Sequence, residues 1–218
     1  GYAQDLEKCY QVTQQTVHKL LKCDRVAIHS FSPDWSTEQL PEAIGQPPTT
    51  TLPNTPLPAV WPKTDLQASQ GGPYRQQQSL IVNHIDAVDL YPAELEQLKE
   101  FEISAYITVP VFKGDQLWGL LSVYQTHIPR TWTAFEINAL KQIGLQLGTA
   151  IQQADSLKRL ARTSEQEQLI SKITDRLLRT TDLPKTLKTV AQDIRQMLHA
   201  DRVGLFQFDP ASNYNVGQ

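Results

Sequence analysis

Apolar positions along the chain switch between helical and strand spacing, and each switch marks an element. From Asp5 to Lys22, Leu6, Cys9, Tyr10, Val12, Val17, Leu20 and Leu21 form a helical stripe, with Asp5 as its expected N-cap. Val26, Ile28 and Phe31 follow at strand spacing, and Pro33-Asp34 closes that strand as a turn. Ser79 to Asn83 reads as a short strand. Pro92 opens a helix over Ala93 to Glu100, where the missing proline N–H costs nothing. Ile103 to Phe112 and Leu117 to Tyr124 are rich in β-branched and aromatic residues and flank Lys113-Gly114-Asp115-Gln116. That arrangement predicts a hairpin with Gly114 at positive φ, and Gly119 allows a close backbone approach.

The longest periodic run starts at Thr133, which with Glu136 reads as a capping box, and continues to about Arg179. No proline falls between Arg130 and Pro184. Ile137, Leu140, Ile143 or Gly144, Leu147, Ile151, Ala154, Leu157 or Lys158, and Ala161 trace a seam close to a 3.5-residue repeat. Ile170, Ile173 and Leu177 resume it after a polar patch at Thr163 to Gln168. A helix of this length outruns one domain. Pairing with a second copy, as a parallel coiled coil or four-helix bundle, would bury the stripe, so Leu140, Leu147, Ile151, Ala154 and Ala161 are the expected dimer positions. A break near Thr163 with a fold-back is the alternative.

Residues 5–34 recur at 182–211, 177 positions later. Asp5, Leu6, Lys8, Gln15, Leu21, Asp24, Arg25, Val26, Phe31 and Pro33 return as Asp182, Leu183, Lys185, Gln192, Leu198, Asp201, Arg202, Val203, Phe208 and Pro210. That spacing is a domain plus a connector, not a solenoid period. The expected organisation is one whole module over 1–155, a linker helix over 134–180, and the start of a second module over 181–218, in a fragment of a larger protein. Asp182 would cap the new helix with Pro184 in its first turn. The strand Arg202 to Phe208 would lack its sheet and be poorly ordered or wrongly paired.

Between Leu40 and Tyr74 lie eight of the fourteen prolines and the Gly71-Gly72 pair, which excludes continuous helix or central strand. A long irregular stretch in a compact domain is either a surface excursion or part of a binding site. Trp61 and Tyr74 favour packing, because exposed linkers seldom carry large aromatics.

Composition narrows the function. The 218 residues carry a net charge of −3, so no basic footprint points to nucleic acid. No apolar run suits a membrane span or a signal peptide, so no membrane contact is expected from this fragment. Two cysteines, Cys9 and Cys23, suit a reducing compartment, and a cytoplasmic location is expected. Phosphate-binding glycine patterns and the nucleophile elbow are missing. His18, His29, His84, His127 and His199 show no metal-ligand spacing and read as surface or satisfied histidines. Cys23 has no identifiable base. Glu94, Glu96, Glu100 and Glu102 read as a solvated helix face. No catalytic or metal residue is assigned, and no enzymatic activity is expected.

Three segments together resemble the GAF domain, in the bilin-binding cyanobacterial branch related to phytochromes. They are Asp24-Arg25-Val26 through Phe31-x-Pro33-Asp34; Leu98-x-x-Phe101-Glu102-Ile103-x-Ala105-Tyr106 through Val109-Pro110-Val111-Phe112 and Leu117-Trp118-Gly119-Leu120-Leu121; and Pro129-Arg130-x-Trp132 with Phe135-Glu136 and Ile143-Gly144-x-Gln146. The stretch Trp61…Asp65-Leu66-Gln67…Gly71-Gly72…Tyr74-Arg75 is similar to the same branch, and the likeness covers roughly residues 15–155. It implies an α/β fold: a central antiparallel sheet of five or six strands, flanked by the N-terminal and long helices, with the proline-rich segment and the helix after Pro92 on the opposite face. It further implies tandem domains in a phototaxis-type chemoreceptor or sensor histidine kinase, with the following GAF domain as partner.

In that branch a Cys-His pair at the start of the helix after Pro92 binds a linear tetrapyrrole through a thioether. Here Ala93 and Glu94 stand at those positions, and Tyr124 stands where a pocket-strand histidine is often found. The resemblance therefore implies vestigial attachment positions at Ala93 and Glu94, with Trp61, Asp65, Tyr74, Tyr106 and Tyr124 as pocket lining. No bound cofactor is expected, with a non-covalent bilin as the remaining option. The expected role is a non-enzymatic relay through dimerisation and helix motion. The rival is a receptor module for a non-covalent tetrapyrrole, a cyclic nucleotide or another small molecule.

Overall fold

A computed structural model describes residues 2–41, 56–178, 183–204 and 206. It divides into two compact units, Gly1–Ser156 and Leu157–Gln218. In the first unit α1 spans Tyr2–Leu21, and β1 (Arg25–Phe31) and β2 (Thr37–Gln39) follow. Next come β3 (Leu80–Val82), α2 (Pro92–Glu100), β4 (Ile103–Lys113) and β5 (Gln116–Thr126). The long helix α3 runs from Ala134 to Leu178, and α4 spans Leu183–Met197 in the second unit.

The five strands form one antiparallel sheet in the order β2-β1-β5-β4-β3. Strand alternation decides the two layers. Val26 and Ile28 of β1, Ile107, Val109 and Val111 of β4, and Leu121 and Val123 of β5 point to one side. There they meet Val17 and Leu21 of α1 and Leu140, Leu147 and Ile151 of α3. Ala27, Tyr106, Leu120 and Tyr124 point to the other side, toward Leu57, Val60, Leu66, Tyr74, Leu98 and Phe101. Full burial of one such side chain is worth about 1.5–3 kcal/mol, so the two layers together hold the sheet.

Two glycines let backbones touch. A Cβ at Gly119 would lie 3.1 Å from the His29 carbonyl carbon, so only glycine fits where β5 crosses β1. A Cβ at Gly148 would lie 2.9 Å from the Phe112 carbonyl carbon, so α3 rests directly on the backbone of β4. Gly114 at the hairpin tip has φ 61°, as the hairpin reading requires.

Several expectations change. Asp5 lies inside the first turn of α1 rather than capping it, because the helix starts at Tyr2; its charge there complements the helix dipole. β2 carries no hydrophobic signal, Thr37-Glu38-Gln39 being an edge strand with one neighbour, and was not foreseen. The long helix is continuous through residues 163–168, without the break considered above. Three expected dimer positions, Leu140, Leu147 and Ile151, are at most 2% exposed against the protomer's own sheet. That corrects their assignment, since a side chain filling one core cannot also meet a second copy. Ala154 is half-buried and Ala161 exposed. Residues 202–204 and 206 form no strand, and the proposed cap Asp182, with residues 205, 207 and 208 of the expected strand, lies outside the described residues.

The start of α3 is fixed as its sequence implies. Thr133 and Glu136 form the capping box: the Thr133 N–H donates to Glu136 Oε2 at 2.8 Å, and the Glu136 N–H to Thr133 Oγ1 at 3.3 Å. Arg130 donates to the Leu21 carbonyl at 2.7 Å, to Gln125 Oε1 at 2.9 Å and to Glu136 Oε1, which ties α1, β5 and α3 together. The Trp132 indole N–H donates to the Val82 carbonyl at 3.1 Å. Asp24 accepts from the Thr126 N–H at 2.7 Å and from its hydroxyl at 2.8 Å, holding the end of β5.

Candidate functional site

The inner face of the sheet, under irregular chain, is where this fold can hold a ligand. Residues 56–71 cross it as loop, with one bridge between Trp61 and Thr64, and Gly72–Gln76 adds a short 3₁₀ turn. The cover is pinned by polar contacts. The Leu57 N–H donates to Gln39 Oε1 at 2.7 Å, and the Leu57 carbonyl is 2.9 Å from His29 Nε2. The Tyr74 hydroxyl donates to the Val60 carbonyl at 2.7 Å. Residues 56–76 thus satisfy their backbone partly from the sheet, through His29 and Gln39, and partly among themselves, through Tyr74 and turns such as the Gly71 N–H to the Leu66 carbonyl at 2.7 Å.

The expected pocket residues do converge, but most of them fill the space. Tyr74, Tyr106 and Tyr124 are at most 2% exposed. Tyr106 and Tyr124 lie ring to ring at 5.9 Å, and the half-buried Trp61 meets Tyr74 edge-on at 5.0 Å. Burial pushes the Tyr74 and Tyr106 hydroxyls well above their ordinary pKa, so both stay neutral donors. The Tyr106 hydroxyl and His29 Nδ1 are buried without a hydrogen-bond partner among the described residues. Of the histidines read as surface or satisfied, His29 is a buried one bonded to Leu57: it is 2% exposed, and burial drives its pKa down against the opposing Leu57 hydrogen bond.

Asp65 and Glu94 lie at the rim instead. With Trp35, Ser36, Thr37 and Tyr91 they line a cleft of about 290 Å³. Asp65 accepts from the Ala68 N–H at 2.9 Å, and Glu94 Oε2 accepts from the Tyr91 N–H at 3.2 Å. Glu94 therefore departs from the solvated helix face: it is half-buried, and burial with the nearby Asp65 charge raises its pKa despite that bond. Ala93 is exposed on the outer side of the same turn. Trp35 belongs to the rim yet was not foreseen; only its place just past the strand-closing turn could have signalled it. α2 itself carries neither cysteine nor histidine.

Cys23 is buried on the far layer, and burial pushes its thiol up to about 12, which leaves it inert as a nucleophile. No group of metal-binding side chains occurs among the described residues, and none of their helices is long and apolar enough to cross a membrane.

One antiparallel sheet thus carries α1 and α3 on one face and, on the other, an aromatic-filled core covered by loop and α2. The chain belongs to the GAF domain family, whose sequence model matches residues 5–151. GAF3 from Slr1393 of Synechocystis sp. PCC6803, solved in its photoproduct state, is 43% identical, with a TM-score of 0.63 over 71% of this chain and 98% of that one. The red/green cyanobacteriochrome NpR6012g4 in its red light-absorbing state is also 43% identical, with a TM-score of 0.61 over 70% and 97% of the two chains. A putative methyl-accepting chemotaxis protein of Synechocystis is 27% identical over 174 residues, which are 79% of this chain and 17% of that protein. The chain thus spans about a sixth of the length of that relative.

Proposed function

We propose that this chain is a non-enzymatic sensory and relay GAF domain of a cyanobacterial signal-transduction receptor, working without covalently attached bilin. The observation that carries the reading is the first turn of α2. Ala93 offers no nucleophile for a thioether, and Glu94 places a carboxylate at the rim where a histidine stands in the bilin-binding branch. The tyrosines that fill the inner face support the same conclusion, because they occupy space a tetrapyrrole would need.

Output runs through α3. In the first unit Phe135 and Leu145 remain exposed on this helix, and in the second unit Leu157, Leu160 and Ile170 do. A second copy packed in parallel along the helix would bury them, and the signal would pass to the following GAF domain as a small rotation or shift of the pair. The dimer positions are thus moved around the helix from Leu140, Leu147 and Ile151, while Ala154 and Ala161 keep the heptad position of Leu140 and Leu147.

The test is co-expression with bilin-synthesis enzymes, followed by an absorption spectrum and a denaturing gel. A colourless protein is expected. A pigment that stays attached on the gel would overturn the reading. A second reading, a receptor for a non-covalent small molecule, draws support from the open cleft at Asp65 and Glu94; colour that is lost on denaturation would favour it.

A further inference from the structure

We propose that the β-bulge at Val111/Phe112 is a mechanical joint through which the cleft wall sets the seating of α3. The proposal rests on the reading that α3 carries the output. The β4–β5 register shifts between Val111, paired with Gly119, and Phe112, paired with Leu117, which leaves Trp118 of β5 as the extra residue of a bulge opposite Val111 and Phe112. At Phe112 the two layers of the domain meet. Its side chain packs on the inner cluster, while its carbonyl group faces Gly148 of α3. One turn earlier, a Cβ at Gly144 would lie 3.2 Å from Val109 Cγ2 and 3.5 Å from the Pro110 carbonyl oxygen. Helix and strand backbones therefore touch with no side-chain layer between them at Gly148. Elsewhere Leu140, Leu147 and Ile151 cushion the contact.

On the inner side the contacts continue to the cleft. Leu117 is the cross-strand partner of Phe112. A Cβ at Gly71 would come within 2.6 Å of Leu117 Cδ2 and 3.2 Å of the Trp35 ring, so Gly71 lies against both side chains and links them. Trp35 forms part of the cleft wall with Asp65 and Glu94. Its φ of 65° is a left-handed value that a bulky residue adopts only when its surroundings impose it. What imposes it is the turn closed by the Trp35 N–H to the Ser32 carbonyl at 2.8 Å and the Ser32 N–H to the Ser36 carbonyl at 2.9 Å, while the indole is flanked by the Phe31 ring at 5.5 Å and the Arg75 guanidinium at 5.5 Å. Trp35, Gly71, Leu117, Phe112 and Gly148 thus form one line of contacts from cleft to helix. Close-packed interiors transmit small displacements along such a line, and a backbone-to-backbone contact has little give. Lys113, next to the bulge, pairs with Asp155 at 2.8 Å and pins α3 one to two turns further on.

The test is hydrogen–deuterium exchange on the full 218-residue chain, read in peptides covering 144–152 of α3 and 2–21 of α1. Leu117→Ala breaks the line beside the bulge. Val82→Ala removes apolar volume from the same inner cluster at the opposite edge strand. Leu117→Ala is expected to speed exchange in 144–152 at least about tenfold while α1 stays within about threefold, and Val82→Ala to leave 144–152 within about threefold. Equal acceleration of α1 and α3 by Leu117→Ala would mean general loosening and overturn the joint. So would no acceleration, or the same response to Val82→Ala. Leu117→Val provides the same contrast in a milder form if the alanine variant does not fold. The measurement needs neither dimer nor ligand, so a covalently pigmented protein would overturn the functional reading, and a monomer its dimer, while this result stands.

Discussion

Gly148→Ala should destabilise the first unit even though alanine is the better helix former. In an exposed helix the exchange gains about 1 kcal/mol. Here the new methyl would meet rigid backbone, 2.9 Å from the Phe112 carbonyl carbon and 3.4 Å from its nitrogen. Carbon atoms prefer about 3.5–4.0 Å, so helix and strand must part by about 1 Å, and a gap of that size forfeits a quarter to a half of the local dispersion energy. Overpacking of this kind costs about 1–3 kcal/mol, and a backbone clash belongs at the upper end. The balance is a loss of about 2 kcal/mol, or about 1 M in the urea midpoint. Gly144→Ala is the control, because its nearest neighbour is the movable Val109 side chain at 3.2 Å; propensity gain and crowding then cancel to within about 0.5 kcal/mol. Tryptophan fluorescence is the assay. All four tryptophans (Trp35, Trp61, Trp118 and Trp132) lie in the first unit, so the signal reports that unit alone. A Gly148→Ala protein with an unchanged or higher midpoint would refute the close-contact argument.

Two further outcomes follow from burial and exposure. His29 has a pKa lowered by burial, so the unfolded chain takes up its proton first as pH falls through about 6.5; stability should drop on that side, and His29→Leu should flatten the slope between about pH 6.5 and 5. Urea midpoints across that range measure it, and a slope that persists in the variant contradicts the assignment. Sedimentation at tens of micromolar should show a dimer (a concentration chosen for a moderate interface), weakened when Leu157 and Leu160, each 67% exposed, are both changed to Glu. A monomer in the unaltered chain would remove the dimer from the proposed function.

Local pattern was enough to place most elements, because strand alternation, prolines and caps act within a few residues. The hairpin at Gly114, the Thr133–Glu136 capping box and the start of α2 at Pro92 were all readable in this way. The alanine at position 93 needed only comparison of residue types. Other features depend on partners distant in sequence. β2 exists because β1 offers an edge to polar residues, and His29 is buried because residues 56–71 fold over it. Glu94 is oriented by the Tyr91 N–H of its own turn, but its place in a cleft depends on the loop that carries Asp65.

The long helix separates the two kinds of information most clearly. Its length, cap and seam were written in the sequence, since a 3.5-residue repeat needs nothing beyond the chain to be seen. Which side of the seam was already taken could be decided only by the sheet. Once Gly144 and Gly148 let the helix settle on β4, Leu140, Leu147 and Ile151 were committed to the first unit's core, and Phe135 and Leu145 were left outside. Periodicity identifies an apolar face, but only tertiary contact determines what covers it, because burial is a property of pairs of surfaces.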